Sequence, residues 1–281
     1  MPRVTVARPT GFCFGVERAI RMAKEGKRQF GAVHTYGELV HNPLVLEELE
    51  AAGISAVRHP GAARGGALVI RAHGCPPDVL ARCRKSDIRI IDATCPYVRK
   101  VQNVARRLRE QGFVVVVVGE RDHPEVQGIL GHCAGAGRVF TPGLRVRADR
   151  IGVVAQTTIS PTHFREAVAK LSLFRYTELR AFDTTCQEVT ARQEAAARIA
   201  RKAELVIVVG GRNSANTSRL AEIARNAGKD ILHVERASEL PRRRLARAGS
   251  IGVVAGSSTP AWVVREVATA ARNPCKEERL Q

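Results

Sequence analysis

Three cysteines of this chain stand in the same local setting, each between an extended stretch and a helix-like pattern. They are Cys13 in GFCFGV, Cys95 in DATCPYV and Cys186 in DTTCQEV. After each of them, apolar residues recur at the spacing of an amphipathic helix. The chain has 7 cysteines, an odd number, and its first residues lack the apolar stretch of a signal peptide. Disulfides are therefore not expected, and metal or redox chemistry becomes the natural question.

A second feature repeats in step with the cysteines. An interval of 28 residues leads from each cysteine to a polar loop, in the pairs Cys13 and His41, Cys95 and His123, and Cys186 and Ser214. Farther along, an apolar strand ends in small polar residues and a proline, in LVIRAHGCPP, GVVAQTTISP and GVVAGSSTPAW. Such a repeat predicts three copies of one structural module. We place the modules at residues 1–95, 96–185 and 186–281.

The alternation of strands and helices predicts an α/β fold with mainly parallel sheets covered on both faces. We expect the three modules to be related by a pseudo-threefold axis, in a trefoil-like arrangement. Functional residues of parallel α/β units collect where strands end and loops lead into helices. The repeated cysteines, polar loops and small polar turns all lie at such strand ends. They are therefore expected to converge on one central site.

Three converging thiolates fit only some kinds of metal site. A structural zinc site normally takes four ligands, and the chain has no C-x-x-C pair. Three cysteines could hold a catalytic zinc with an open position, or a 4Fe–4S cluster with one iron left for substrate. The alternative is that they are small buried hydrophobic residues, as free cysteines often are. The matched positions favour a metal site, whereas a structural role is expected for the unmatched Cys75, Cys83, Cys133 and Cys275.

The loops around this predicted site are rich in groups that bind anions. The candidate residues are His41, His73, His123, Ser214, Asn216 and Ser258. Loops that open onto helix N-termini offer backbone N–H groups to an anion, and imidazole, amide and hydroxyl groups add further donors. A diphosphate fits this arrangement.

One carboxyl group is placed to move protons at the same site. Glu125 follows His123 by two residues and is expected to face the same cavity. A carboxyl group next to a cluster and an anion is expected to have a raised pKa, which suits proton delivery. Thr157 and Thr158 could relay or orient that proton. The alternative for Glu125 is a carboxylate stabilised by the dipole of a helix N-terminus.

The chain resembles the 4-hydroxy-3-methylbut-2-enyl diphosphate reductase family of the methylerythritol phosphate pathway. The resemblance covers nearly the whole chain and rests on GFCFGVERAI, ELVHNPLV, AHG, DATCPYVRKV, HPEVQG, QTT, DTTC, NSANTSRLAEIA and AGSSTPAW, in that order. It implies an oxidoreductase with one 4Fe–4S cluster on Cys13, Cys95 and Cys186, whose open iron binds the allylic hydroxyl of the substrate. Two electrons and protons would then remove that oxygen as water and give isopentenyl and dimethylallyl diphosphates.

The same resemblance implies roles for the other candidate residues. Glu125 would help to deliver protons, with Thr157 and Thr158 nearby. The diphosphate would be held by His41, His73, His123, Ser214, Asn216 and Ser258. Electrons would come from a reduced ferredoxin or flavodoxin, which are typically acidic. The formal net charge of +18 suits the docking of such a donor.

The chain departs from the family pattern at several positions. The usual Ser-Ser-Asn of the diphosphate loop reads Ser214-Ala215-Asn216, which removes one hydroxyl donor. After the third cysteine, the usual YAT and NRQ read QEV and ARQ, and Phe14 stands where many members have alanine. These differences leave an alternative open, a paralogue with the same cluster that acts on another phosphorylated allylic substrate.

Composition bears on two further classes of protein, those that bind nucleic acid and those that span a membrane. The high positive charge invites a nucleic-acid interpretation, but Lys and Arg are spread along the chain and aromatic residues make up only 4%. A basic nucleic-acid-binding protein is therefore the more distant alternative. The longest uninterrupted apolar run, FVVVVV at 113–118, is far too short to span a membrane. A cytoplasmic protein without membrane partners is predicted.

Overall fold

The computed structural model of the chain describes residues 2–86 and 88–274. Helices and strands alternate along this part of the chain. The strands are β1 Arg3–Val6, β2 Val33–Tyr36, β3 Ile54–Val57, β4 Ala67–Ile70, β5 Arg89–Asp92, β6 Val114–Val118, β7 Gly137–Val139, β8 Arg150–Ala155, β9 Glu178–Phe182, β10 Leu205–Val209, β11 Asp230–Val234 and β12 Ser250–Ala255. The helices are α1 Phe14–Phe30, α2 Pro43–Ala51, α3 Pro77–Lys85, α4 Pro96–Glu110, α5 Pro124–His132, α6 Pro161–Leu171, α7 Gln187–Lys202, α8 Ala215–Asn226, α9 Arg242–Arg247 and α10 Ala261–Arg272.

These strands form three sheets of four strands each, called sheets A, B and C. Their orders are β1-β12-β10-β11 in sheet A, β3-β2-β4-β5 in sheet B and β7-β6-β8-β9 in sheet C. Every neighbouring pair is parallel. The three orders match when each sheet is counted from the edge strand that precedes its cysteine. They then run β1-β12-β10-β11, β5-β4-β2-β3 and β9-β8-β6-β7. The predicted α/β class with three parallel-sheet modules is confirmed.

The strand that opens the chain lies in the sheet of the last strands. β1 pairs with β12, with Val4 opposite Ile251, whereas our first module, 1–95, groups β1 with the strands of sheet B. Sequence pattern does not reveal this pairing, because a strand has the same local pattern whichever neighbour completes its hydrogen bonds. The boundaries at 95 and 185 stay a prediction.

The described residues divide into two compact units. The first unit contains residues 2–14, 40–48 and 187–274, with sheet A. The second unit contains residues 15–39, 49–86 and 88–186, with sheets B and C.

Aliphatic side chains fill the cores on both faces of these sheets. β10 is buried at every position, and β6 is buried from Val115 onward. This is expected of central strands in a parallel sheet with helices on both sides. In the second unit, α4 lays Val101, Ala105 and Leu108 into the core of sheet C. No helix in the described ranges is both long enough and apolar enough to cross a membrane.

Candidate active site

The three repeated cysteines occupy equivalent places in the three sheets. Each follows the outer strand β1, β5 or β9, and its backbone N–H donates to a carbonyl in the turn after the adjacent strand. These bonds join Cys13 to Ser257 at 3.0 Å, Cys95 to Ala72 at 3.0 Å, and Cys186 to Thr157 at 2.9 Å. A helix begins directly after each cysteine, α1 at Phe14, α4 at Pro96 and α7 at Gln187. The structure therefore gives the sequence repeat a matching hydrogen-bond geometry.

In two of the loops that lead to these cysteines, an aspartate side chain accepts a hydrogen bond from the backbone of the same loop. Three residues before Cys95, Asp92 Oδ1 accepts the backbone N–H of Thr94 at 3.0 Å. In the same way, Asp183 Oδ1 accepts the backbone N–H of Thr185 at 3.0 Å and its hydroxyl at 2.6 Å. Such Asp turns fix the backbone immediately before the cysteine.

The unmatched cysteines lie in a different environment. Cys75, Cys83 and Cys133 are buried, and burial raises the thiol pKa of all three, to about 12 for Cys75 and about 11 for Cys133. The Cys133 thiol also donates to the Ile129 carbonyl at 3.3 Å. Thiols of this kind stay protonated and are poor metal ligands. Cys275 lies outside the described residues.

Glu125 is a buried carboxyl group in the first turn of α5, only 1% exposed. Its two oxygens accept hydrogen bonds from Thr157, one from the backbone N–H at 2.7 Å and one from the hydroxyl at 2.8 Å. Burial raises the pKa of Glu125 to about 7, although the two bonds from Thr157 oppose that shift, and nearby Glu120 adds to it. Desolvation therefore outweighs hydrogen bonding, which leaves a carboxyl group that can exchange a proton near neutral pH.

Two of the predicted anion-binding histidines lie side by side in the second unit. His73 follows β4 of sheet B, and His123 caps the N-terminus of α5 after β6 of sheet C. Their ring centroids are 5.3 Å apart in an edge-to-face arrangement. The His123 Nδ1 accepts the backbone N–H of Glu125 at 3.1 Å. In the neutral ring, the proton therefore lies on Nε2, which can donate to an anion.

Gln156, which is not among the predicted site residues, supports Thr158. Gln156 is fully buried, and its amide nitrogen donates to the Thr158 hydroxyl at 2.8 Å. The Gln156 amide oxygen accepts the backbone N–H of Glu120 at 2.9 Å. The sequence signal was a polar side chain directly after the buried strand β8, where an apolar residue would be ordinary.

The remaining predicted anion-binding residues lie in the first unit. Ser214 caps α8 and accepts the Thr217 backbone N–H at 3.4 Å. Asn216, in the first turn of α8, is 2% exposed, and its amide has no hydrogen-bond partner among the described residues. The Ser258 hydroxyl donates to the His41 carbonyl at 3.2 Å. A buried amide without a partner is costly, so a ligand that satisfies Asn216 would be favoured.

The loop of His41 is packed tightly within this unit. A Cβ atom added to Gly211 would collide with the His41 carbonyl oxygen. Glycine at 211 is therefore required for the loop 210–214 to lie against the backbone of His41.

Comparison with known proteins gives a consistent result over almost the whole chain. The family model described as LytB protein matches residues 4–272. The 4-hydroxy-3-methylbut-2-enyl diphosphate reductase of Pelobacter propionicus is 41% identical over 271 residues, which cover 94% of this chain and 96% of that protein. The protein of the same name from Aquifex aeolicus is 36% identical over 284 residues, with 98% of each chain covered.

Solved structures agree with these relatives. A structure of (E)-4-hydroxy-3-methyl-but-2-enyl diphosphate reductase, described as the terminal enzyme of the non-mevalonate pathway, is 35% identical with a TM-score of 0.71. The match covers 97% of this chain and 100% of that one. The E-1-hydroxy-2-methyl-but-2-enyl-4-diphosphate reductase of Plasmodium falciparum is 25% identical with a TM-score of 0.91, over 98% and 89% of the two chains. The chain therefore belongs to the LytB family of 4-hydroxy-3-methylbut-2-enyl diphosphate reductases, which are oxidoreductases.

Proposed function

We propose that this chain reduces 4-hydroxy-3-methylbut-2-enyl diphosphate to isopentenyl and dimethylallyl diphosphates, with a 4Fe–4S cluster held by Cys13, Cys95 and Cys186. Two electrons and two protons balance the reaction, because the allylic C–O bond breaks, a C–H bond forms and the oxygen leaves as water. The observation that carries the proposal is the double role of Thr157. Its carbonyl accepts the N–H of Cys186, while its own N–H and hydroxyl hold the carboxyl group of Glu125.

The donor set fits such a cluster. Cys13, Cys95 and Cys186 form no disulfide and donate equivalent backbone hydrogen bonds, and three thiolates leave one iron of a cubic cluster without a protein ligand. When bound, the cluster supplies electrons and an open coordination position for an oxygen atom. The buried thiols of Cys75, Cys83 and Cys133 have raised pKa values and are not expected to compete for the metal.

Glu125 is proposed as the proton donor. With a pKa of about 7, its protonated and ionised forms coexist at neutral pH, so it can give up a proton and be recharged. In the ionised form, the hydroxyl of Thr157 donates to Glu125. In the protonated form the direction reverses, and the Thr157 hydroxyl can pass its own proton to the departing oxygen. Gln156 holds Thr158 beside this pair.

The diphosphate is proposed to be bound by the predicted anion-binding residues His41, His73, His123, Ser214, Asn216 and Ser258. His73 and His123 offer imidazole N–H groups, and Ser214, Ser258 and the region of His41 add hydroxyl and further imidazole donors. The buried amide of Asn216 supports this assignment best, because it lacks a partner in the described part of the chain. Electrons are proposed to come from a reduced ferredoxin or flavodoxin.

One experiment tests cluster and substrate together. The protein is purified without oxygen, its iron and sulfide are counted, and its spectrum is recorded before and after addition of the diphosphate substrate. About four iron and four sulfide per chain and a spectral change on addition are expected. Zinc in place of iron would reject the cluster, and an intact cluster that ignores the diphosphate would reject the substrate.

A second candidate function is a paralogue with the same cluster and a different phosphorylated allylic substrate. The observation that favours it is Ala215, which places a methyl group between Ser214 and the buried Asn216 where the family has a hydroxyl donor. Turnover of the expected diphosphate by the unmodified protein decides between the two, because a loaded but inactive protein would favour the paralogue.

A further inference from the structure

A buried arginine reaches the loop that carries Cys13. Arg192 lies in α7 and is only 3% exposed. Its guanidinium group donates to two carbonyl oxygens of that loop, through NH2 to Gly11 at 2.9 Å and through NH1 to Pro9 at 3.2 Å. An ionised group is expensive to bury unless polar partners compensate for lost water. The contacts with this loop are therefore part of what keeps the guanidinium group inside the protein.

The same arginine stands at an apolar position of its helix. Ala196 and Ile199 pack in the core of sheet A, and the buried Val189 and Arg192 precede them at helical spacing on the same face of α7. A solvated arginine would occupy the opposite face, as the exposed Arg198 does. The buried position of Arg192 therefore indicates a structural role for its guanidinium group.

The loop before Cys13 lacks the device that fixes the other two cysteine loops. Asp92 and Asp183 stand three residues before their cysteines and close an Asp turn. The corresponding residue before Cys13 is Thr10, which is exposed, and the structure shows no such turn in residues 7–13. Gly11 adopts a φ of 82°, a conformation that glycine favours. This loop therefore depends more on contacts from outside it.

We propose that Arg192 is a positioning residue for Cys13. By holding the carbonyls of Pro9 and Gly11, it takes the place of the Asp turn and presents the Cys13 thiol for cluster binding. The inference rests on the proposed function, because Cys13 is a ligand only if the cluster is present. It does not assign Arg192 any contact with substrate.

The test compares three variants of the anaerobically purified protein. Arg192→Met removes both donors at similar volume, and Arg192→Lys keeps the charge but replaces the planar fork with a single ammonium group. Arg198→Met is the control, since it removes an exposed arginine from the same helix. The first readout is hydrogen exchange in a peptide that covers residues 7–13. The second is the rate at which an iron chelator strips the cluster.

We expect Arg192→Met to raise both rates by about tenfold or more, because two carbonyls lose a charged donor. Arg192→Lys should restore part of the protection, and Arg198→Met should match the unmodified protein. If Arg192→Lys and the unmodified protein exchange hydrogen and lose the cluster at equal rates, the two-carbonyl contact of the guanidinium group does not position Cys13. This comparison holds even if Arg192→Met does not fold. Equal rates in all variants would overturn the inference altogether.

The two readouts separate this inference from the proposed function. If the unmodified protein binds no iron–sulfur cluster, the proposed function fails, while exchange in residues 7–13 still reports whether Arg192 holds the loop. If the cluster is present and its lifetime does not depend on residue 192, only the present inference fails.

Discussion

At the scale of single residues, Thr157 joins two parts of the candidate chemistry. Its carbonyl fixes the backbone of Cys186, and its N–H and hydroxyl bind the two oxygens of Glu125. The carboxyl group nevertheless has a raised pKa, because burial costs the charged form more than these two bonds return. Glu125 is thus a buried acid whose two oxygens are both held in place. Its orientation follows from one threonine.

Glu125→Gln should nearly abolish turnover while substrate binding is kept. The amide has almost the shape of the carboxyl group but carries no acidic proton, so a loss of about 100-fold or more is expected. Steady-state rates with a reduced donor, together with a binding titration, measure both properties. Glu166→Gln, on the exposed face of α6, is the control. Turnover like that of the unmodified protein would remove Glu125 from the mechanism.

Glu125 should also make stability depend on pH. Its pKa is about 7 in the folded protein against an ordinary value of 4.5, so the folded state binds the proton more tightly. Its contribution is therefore fully present below pH 4.5 and is lost as pH rises through about 7.

The expected loss is about 3 kcal/mol in the free energy of unfolding, relative to the Glu125→Gln variant. Denaturant titrations of both proteins, in the same cluster state at several pH values, measure the difference. A difference that does not vary with pH would show that the pKa of Glu125 is not raised.

At the scale of elements, the strand–turn–helix junction is the repeated unit of this protein. In all three sheets a cysteine follows the edge strand. Its backbone N–H donates to a carbonyl oxygen in the turn after the neighbouring strand. Two junctions are closed by an Asp turn, and the third is held by Arg192. The junctions share hydrogen-bond geometry but not the side chains that enforce it. We therefore expect cluster binding at these junctions to depend on backbone position as much as on the cysteine.

Replacing cysteines should show that those at the strand–turn–helix junctions bind the cluster and those in the hydrophobic cores do not. Cys95→Ser removes a proposed ligand at the start of α4 and should abolish the 4Fe–4S signal and lower the iron content. Cys83→Ala, in the core of sheet B, should leave the cluster intact, because burial keeps that thiol protonated. Iron analysis and the spectrum of the reduced protein measure both. Equal cluster loss in the two variants would refute the ligand assignment.

The first turn of α8 offers a test of the departure at Ala215. Ala215→Ser restores a hydroxyl group between Ser214 and Asn216, and a hydrogen bond to a charged group is worth about 1.5–3 kcal/mol. We expect KM for the diphosphate to fall by about tenfold or more with little change in kcat. Ala197→Ser in α7 is a matched control. An unchanged KM would mean that the missing hydroxyl does not limit binding.

At the scale of the whole molecule, the charge of +18 is the dominant feature. Many exposed arginines are paired with carboxylates of their own surface, as in Arg82 with Asp78 and Arg244 with Asp230. The excess of cations nevertheless gives a positive field, which speeds encounters with acidic proteins and weakens as salt rises.

Reduction by an acidic ferredoxin should therefore be sensitive to salt. We expect kcat/KM for the donor to fall by roughly tenfold between about 0.02 and about 0.3 M salt, with KM for the diphosphate less affected. Stopped-flow reduction at several salt concentrations measures the first quantity. A rate independent of salt would exclude electrostatic docking of the donor.

Much of the fold was predictable because it depends on local pattern. The alternation of strand and helix patterns predicted the α/β class, the repeat predicted three modules, and the helices begin directly after Cys13, Cys95 and Cys186 as expected. The placement of β1 was not predictable, since its partner β12 lies at the other end of the chain. Arg192 was missed for a related reason, although a charge on an apolar helix stripe was a visible signal.

The sequence by itself determined the residue types, their periodic spacing and hence the family and the kind of chemistry. These follow from covalent order and from the periods of helix and strand, which are local properties. Only the tertiary structure decided that Thr157 holds Glu125, that His73 lies against His123, and that Arg192 reaches the loop of Cys13. Burial and hydrogen bonding join residues far apart along the chain, and no local pattern encodes which distant partner will be met. The raised pKa of Glu125 belongs to this second class, since desolvation exists only once the chain has folded.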